Sequence, residues 1–137
     1  MEKKRFIFDI DGTLLVPDWN YEEKYFSSVF DKSDFDTLYP QIPKLLEEYE
    51  KNFPRYDVDE LSRFLTMKSG VLITPEIIKG WNDALGETSP IIIDGVVESL
   101  EYLKSKDKSL GALTNWFLES QISRLKSSGL DSYFDCV

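Results

Sequence analysis

The chain has 137 residues, 42% of them hydrophobic, which suits one globular domain or a small core carrying one insertion. Its 25 acidic residues outnumber 16 basic ones, and the formal net charge of −9 repels nucleic acids and acidic membranes at long range. No stretch approaches the roughly 20 apolar residues of a membrane span, and the amino terminus lacks a signal-peptide pattern. We therefore expect a cytoplasmic protein that binds neither nucleic acid nor membrane.

The inventory of reactive side chains narrows the possible chemistry. The sequence contains no histidine and a single cysteine, Cys136. An internal disulfide, a zinc site built from cysteine and histidine, and a Ser-His-Asp triad are therefore excluded. Acid and base catalysis must fall to carboxylates, or to lysine or tyrosine.

The first predicted element is a buried strand over residues 4–9. The segment from Phe6 to Leu15 reads FIFDIDGTLL, an apolar run that stops at two acids. In an extended chain, side chains two apart point the same way, so we expect Asp9 and Asp11 to project together. Gly12 then permits a sharp turn. Two acids alone are common in solvated turns, but after a buried strand they indicate a functional site.

Helical patterns replace strand patterns between Leu15 and Pro90, which indicates an inserted helical module. We predict helices over residues 21–30, 42–53, 58–68 and 75–85. Asp57 with Glu60 has the spacing of a capping box, and Thr74 precedes a proline suited to the first helical turn. Two apolar stripes predict core positions. They are Leu61, Phe64 and Leu65, and Ile77, Ile78, Trp81 and Leu85.

The carboxyl-terminal part returns to alternating elements. We predict a helix from Asp94, as its cap, to Lys106, then a strand over Ser109–Thr114. A second helix runs from about Trp116 to Ser128 and stops at Gly129. Strand, helix, strand and helix in this order predict an α/β fold with a parallel sheet. Residues 1–15 and 90–137 would form this core, and residues 16–89 the helical insertion.

The FIFDIDGTLL segment resembles the first motif of the haloacid-dehalogenase-like hydrolase superfamily. The resemblance implies a Rossmann-like sheet with a helical cap inserted after the first motif. It also implies that Asp9 attacks phosphorus and that Asp11 acts as acid and base. In this family Mg²⁺ binds the carboxylate matching Asp9 and the backbone carbonyl matching Asp11.

The segment LGALTN, ending at Thr114 and Asn115, resembles the second motif of the same family. There a strand ends in a hydroxyl residue that, with the next backbone N–H, binds the transferring phosphoryl group. Asn115 and the opening N–H groups of the next helix would add positive charge suited to phosphate. The alternative is an ordinary helix cap formed by Thr114. Both motifs end strands, where open α/β sheets bind ligands.

Together the two motifs imply a Mg²⁺-dependent phosphatase of small phosphorylated metabolites, working through an aspartyl-phosphate. Dehalogenase members lack an acid at the second position, so Asp11 favours a phosphatase. A phosphomutase would share every residue named so far and stays open.

Two later motifs of the family, a lysine and an acidic pair that completes the Mg²⁺ shell, have no match. Lys126 does not correspond to that lysine, because it lies in the helix just after the second motif. Phe134 to Val137 resembles the beginning of a third strand. We therefore expect an incomplete sheet and an isolated chain that turns over poorly or not at all, since one lost charge-stabilising group costs about 10²–10³ in rate.

An incomplete sheet would expose the edge formed by Phe6, Ile7 and Phe8, so a homodimer through that edge is possible. A second class of function stays open, a non-catalytic binding module with the same fold. The substrate is also open. Trp19, Asn20 and Tyr21 could contact a ligand or simply pack, and the aromatic content of 14% could form a nucleotide-stacking surface or a core.

Overall fold

A computed structural model describes residues 4–17 and 20–137. The chain divides into two compact units, Met1–Asp18 with Gly86–Val137 and Trp19–Leu85. The described residues contain two strands, seven α-helices and two short 3₁₀ helices. The elements in chain order are β1 (Arg5–Asp9), α1 (Asn20–Val29), α2 (Lys32–Leu38), a 3₁₀ helix (Tyr39–Gln41), α3 (Ile42–Asn52), α4 (Val58–Ser69), α5 (Pro75–Gly86), α6 (Val96–Ser105), β2 (Ser109–Leu113), α7 (Leu118–Ser128) and a 3₁₀ helix (Asp131–Tyr133).

The sheet of the first unit is parallel. Strands β1 and β2 are hydrogen-bonded neighbours, with Phe6 opposite Leu110 and Asp9 opposite Leu113. Two parallel strands are joined by a long crossover that usually contains a helix, and α6 lies in this crossover directly before β2. The predicted fold class, α/β with a parallel sheet and an all-helical insertion, is confirmed.

The last residues of the chain lie along the free side of β2. Gly111 and Cys136 form a parallel bridge, and the Ala112 N–H donates to the Cys136 carbonyl at 3.0 Å. This pairing places the terminal segment beside β2, on the side that β1 does not occupy. It agrees with the prediction that Phe134 to Val137 begins a third strand.

The core of the first unit lies between the sheet and its helices. The chain turns back directly after β1, since the Ile10 carbonyl accepts from the N–H groups of Leu14 and Leu15 at 2.9 and 3.0 Å. This turn buries apolar side chains beneath the strand ends. The buried cluster comprises Ile10, Leu14, Leu15, Leu100, Leu110, Ala112, Leu125 and Leu130.

The second unit is all-helical over its described residues and has an aromatic interior. Phe26 and Trp81 are buried with ring centroids 4.9 Å apart, and buried Tyr49 meets Phe64 at 5.5 Å. Leu61 on α4 is also fully buried. These rings form a core, not a stacking surface for nucleotides. Trp19 lies outside the described residues.

Helix ends in the second unit follow their sequence signals. Asp57 Oδ1 accepts from the Glu60 N–H at 2.9 Å, so Asp57 caps α4 as predicted. The reciprocal half of the capping box is replaced, because the Asp57 N–H donates to the Tyr49 hydroxyl at 3.2 Å. Thr74 Oγ1 accepts from the Ile77 N–H at 3.3 Å at the start of α5.

Three expectations about local structure were wrong. Gly95, at φ 87°, precedes α6, so Asp94 does not cap that helix. Helix α2 was missed, although Asp31 caps it by accepting from the Asp34 N–H at 2.8 Å. Strand β1 is not buried, since most of its residues are exposed and Ile7 is 64% exposed.

No helix within residues 4–17 and 20–137 is long and apolar enough to cross a membrane.

Candidate active site

Asp9 ends β1, and Thr114 directly follows the end of the neighbouring strand β2, at the same edge of the sheet. Asp9 is the last residue of β1 and lies opposite Leu113, the residue before Thr114. The Asp9 side chain is exposed, and its Oδ1 accepts from the Ile10 N–H at 2.8 Å. The register of two parallel strands therefore brings the first motif beside the second.

Gly12 fixes the turn that follows the first strand. Its φ of 79° lies in the left-handed region, which L side chains rarely adopt, and its N–H donates to the Leu15 carbonyl at 2.9 Å. The strand has ended before this turn, so strand alternation no longer sets the direction of Asp11. The two carboxylates consequently have different partners.

The Asp11 carboxylate is held by two side chains of α7. Its Oδ1 accepts from Arg124 Nη1 at 2.7 Å, and its Oδ2 accepts from Gln121 Nε2 at 3.0 Å. Gln121 Nε2 also donates to Thr114 Oγ1 at 3.2 Å, and Gln121 Oε1 accepts from Arg124 Nη1 at 2.8 Å. One hydrogen-bonded network thus joins the acid of the first motif to the hydroxyl of the second.

Gln121 and Arg124 are almost completely buried, at 1% exposure each, while the Asp11 side chain is 40% exposed. Burying a guanidinium is costly unless a charged partner compensates it, and here Asp11 is that partner. Sequence reasoning missed both residues. The signal was available, because Gln121 and Arg124 lie three apart on the helix face that also carries Leu125.

Thr114 does not cap the following helix. Helix α7 begins at Leu118, after Phe117, and Thr114 Oγ1 instead accepts from the Trp116 N–H at 3.1 Å. The alternative interpretation of Thr114 as an ordinary helix cap is therefore wrong. Helix α7 therefore starts two residues later than the predicted start at about Trp116. Asn115 itself is exposed.

The residues available for a metal are oxygen donors. The Asp9 carboxylate is exposed at the strand end. Arg124 and Gln121 hold the Asp11 carboxylate, and the backbone carbonyl of Asp11 is a further oxygen donor. Carboxylate and carbonyl oxygens are the hard donors that Mg²⁺ prefers, so these two residues fit that ion. No group of three or more metal-binding side chains occurs in the described part of the chain.

The sequence profile of the haloacid dehalogenase-like hydrolases matches residues 6–137. The chain therefore belongs to this family. A comparison with curated proteins gives no match.

Solved structures of similar fold include members of this class. YfnB from Bacillus subtilis, provisionally named as a HAD-hydrolase and solved bound to magnesium, has a TM-score of 0.64 and 21% identity over 99% of this chain and 64% of that one. A protein from Thermotoga maritima, provisionally named as a beta-phosphoglucomutase, has a TM-score of 0.55 and 20% identity over 97% of this chain and 59% of that one.

A third similar structure is named as a dehalogenase, which is a different activity from those named for the first two. The L-2-haloacid dehalogenase from Xanthobacter autotrophicus, with chloropropionic acid covalently bound, has a TM-score of 0.58 and 12% identity over 99% of this chain and 56% of that one. These likenesses show the fold. The chain spans between 56% and 64% of the lengths of these three proteins.

Proposed function

We propose that the protein is a Mg²⁺-dependent phosphatase of small phosphate esters that works through an aspartyl-phosphate on Asp9. The observation that carries the proposal is the network in which Gln121 joins Asp11 to Thr114 at 3.0 and 3.2 Å. Nucleophile, acid and phosphoryl-binding hydroxyl need to share one edge of the sheet. Asp9 ends the strand next to the one that precedes Thr114.

The first half-reaction forms the aspartyl-phosphate. An oxygen of Asp9 attacks phosphorus, the bond from phosphorus to the ester oxygen breaks, and that oxygen takes the proton that Asp11 carries on a lone pair not used by Arg124 or Gln121. The Thr114 oxygen already accepts from Trp116 and Gln121, so the Thr114 hydroxyl can donate its own proton to a phosphoryl oxygen.

The second half-reaction restores the enzyme. Asp11, now ionised, takes a proton from water as the water oxygen attacks phosphorus, and the bond from phosphorus to Asp9 breaks. Inorganic phosphate leaves, and both carboxyl groups return to their starting states. When bound at Asp9 and the Asp11 carbonyl, Mg²⁺ would supply positive charge opposite the phosphoryl oxygens.

Two observations favour this proposal over a dehalogenase and over a non-catalytic module, and an activator requirement would distinguish a phosphomutase. The acid at position 11 serves an ester whose leaving oxygen needs a proton, which a haloacid substrate does not require. A phosphomutase uses the same residues and is distinguished by its need for a phosphorylated sugar activator. A non-catalytic module has no need of Asp11 held on both oxygens by a buried helix face.

The test is phosphate release from an aryl phosphate with Mg²⁺, using protein expressed from the complete natural reading frame. We expect turnover that Asp9→Asn reduces to background and that Asp59→Asn leaves unchanged, since Asp59 is an exposed acid in the first turn of α4. The proposal would be refuted if the Asp9→Asn variant still turned over the substrate, or if the natural protein showed no turnover. A screen of nucleotides, sugar phosphates and phosphorylated hydroxy acids then identifies the substrate.

A further inference from the structure

We propose that Arg124 and Gln121 are positioning residues that hold Asp11 in register with Thr114 for proton transfer to the leaving group. This inference rests on the proposed phosphatase activity and extends it to two residues of α7. Neither touches the reacting atoms in the mechanism above. Their effect is exerted through Asp11.

The geometry restrains Asp11 from both sides. Arg124 Nη1 holds Oδ1 at 2.7 Å, and Gln121 Nε2 holds Oδ2 at 3.0 Å, so the carboxylate cannot rotate without breaking a charge-assisted hydrogen bond. The two holders are themselves bonded at 2.8 Å and come from adjacent turns of one helix. The orientation of the acid is therefore set by a rigid element.

The energetics of the buried face point to function. Arg124 is 1% exposed, and its Nε finds no hydrogen-bond partner among the described residues. Apolar side chains that replace a buried ion pair are often neutral or stabilising, so packing alone would favour another residue like the neighbouring Leu125. A guanidinium at this position is accounted for by what it does to Asp11.

The held carboxylate keeps the capacity for proton transfer. A carboxylate has about four lone-pair sites, and Arg124 and Gln121 occupy two of them, so one of the remaining sites can carry the proton that Asp11 passes to the leaving group and later takes from water. The Asp11 side chain is 40% exposed, so a leaving group or water can reach it. Because Gln121 also binds Thr114 Oγ1, the distance between the acid and the phosphoryl-binding hydroxyl is fixed.

The leaving group provides the test, because 4-nitrophenolate departs with little protonation and phenolate needs a proton. The readout is kcat/KM for phenyl phosphate and for 4-nitrophenyl phosphate, with protein from the complete natural reading frame. We expect Arg124→Met to lower the value for phenyl phosphate about 10- to 100-fold and the value for 4-nitrophenyl phosphate about threefold or less. Asp11→Asn should show the same selectivity, and Arg124→Lys should recover part of the loss.

Gln121→Ala tests the same role if Arg124→Met does not fold. It should lower kcat/KM less than Arg124→Met does, again more for phenyl phosphate than for 4-nitrophenyl phosphate. Ser120→Ala is the matched control, because Ser120 is buried on the same helix and its hydroxyl donates to the Phe117 carbonyl at 3.2 Å. Equal losses on both esters for the Arg124 and Gln121 variants would overturn the positioning role while leaving the phosphatase intact. An inactive natural protein would overturn both.

Discussion

Leu110 and Asp135 bind each other twice. The Asp135 N–H donates to the Leu110 carbonyl at 2.8 Å, and the Leu110 N–H donates back to Asp135 Oδ2 at 2.9 Å. The first bond is a backbone bond of the kind that pairs strands, and the second uses a side chain where a strand would use a carbonyl. Asp135 therefore fastens the terminal segment to β2 at the point where their pairing begins.

Asp135 should make stability depend on acid pH. The Leu110 N–H, the Ser109 hydroxyl and the Lys104 ammonium together lower the pKa of Asp135 from 3.8 to about 2. A lowered pKa stabilises the folded state above pH 3.8, and this contribution is lost as the pH falls towards 2. We expect Asp135→Asn to be less stable than the wild type near neutral pH and equal to it below about pH 2.

Urea unfolding midpoints between about pH 2 and pH 7 measure that difference. Asp131→Asn is the matched control, since Asp131 is an exposed acid in the same terminal region. A difference between Asp135→Asn and wild type that stays constant over the whole pH range would contradict the prediction.

Glu22 should destabilise the helical unit as the pH rises. It is buried on α1 beside a cavity of about 270 Å³ lined also by Tyr39, Pro40, Ile42 and Pro43. Burial raises the pKa of Glu22 from 4.5 to about 7, a shift that a hydrogen bond with Tyr21 partly opposes. The folded state therefore binds the proton more tightly, and stability is lost as the pH climbs from 4.5 to 7.

Glu22→Gln should remove this dependence. We expect the variant to match the wild type near pH 4 and to exceed its free energy of unfolding by about 1–3 kcal/mol above pH 7. Glu23→Gln, at an exposed position of the same helix, should change little. Thermal unfolding at the two pH values checks the prediction, and a Glu22→Gln variant that is less stable than wild type above about pH 7 would contradict it.

Local signals predicted the helix ends well where a side chain or a glycine acts on its own helix. Gly129, at φ 79°, ends α7 as expected, with Leu130 donating to the Leu125 carbonyl at 3.0 Å. Asp57 caps the start of α4 as expected, because its side chain accepts from the Glu60 N–H of its own helix. The prediction that Asp94 caps α6 was wrong. Gly95 lies between Asp94 and the first turn of α6 in a left-handed conformation, so Gly95 and not Asp94 occupies the capping position.

Long-range contacts could not be predicted from local patterns. Asp11 is 113 residues from Arg124 and 110 from Gln121 along the chain. The sequence showed the strand ends, and hence Asp9 beside the second motif. It did not show that the helix after the second motif turns a polar face towards the first, because that depends on how α7 packs over the sheet.

Gly80 should resist substitution because of Tyr25. A Cβ at Gly80 would overlap the Tyr25 hydroxyl, which donates to the Ile77 carbonyl at 2.6 Å. We expect Gly80→Ala to lose about 1–3 kcal/mol of stability, despite the better helix propensity of alanine, since it breaks this bond and displaces the ring. Gly86→Ala is the control on the same helix, where the new Cβ would meet its neighbours at an ordinary 3.6 Å.

A double-mutant cycle isolates the cause. In a Tyr25→Phe background the clashing oxygen is gone, so the added cost of Gly80→Ala should shrink. The measurement is the free energy of unfolding of the four proteins in urea. Costs that simply add would show that the tyrosine hydroxyl is not what excludes alanine.

The outer edge of β1 should support self-association of the 137-residue chain. Among residues 4–17 and 20–137, β1 pairs with β2 alone, and Ile7 is 64% exposed. An apolar edge with unpaired backbone groups pairs readily with another strand, and a second copy offers the same edge. We expect a concentration-dependent dimer by light scattering, weakened at least about tenfold by Ile7→Lys, because a charge on an edge strand disfavours edge-to-edge pairing.

Ile91→Lys should leave the dimer unchanged, since Ile91 is equally apolar and 66% exposed but lies outside β1. A chain that stays monomeric, or two variants with the same effect, would remove the edge as the interface.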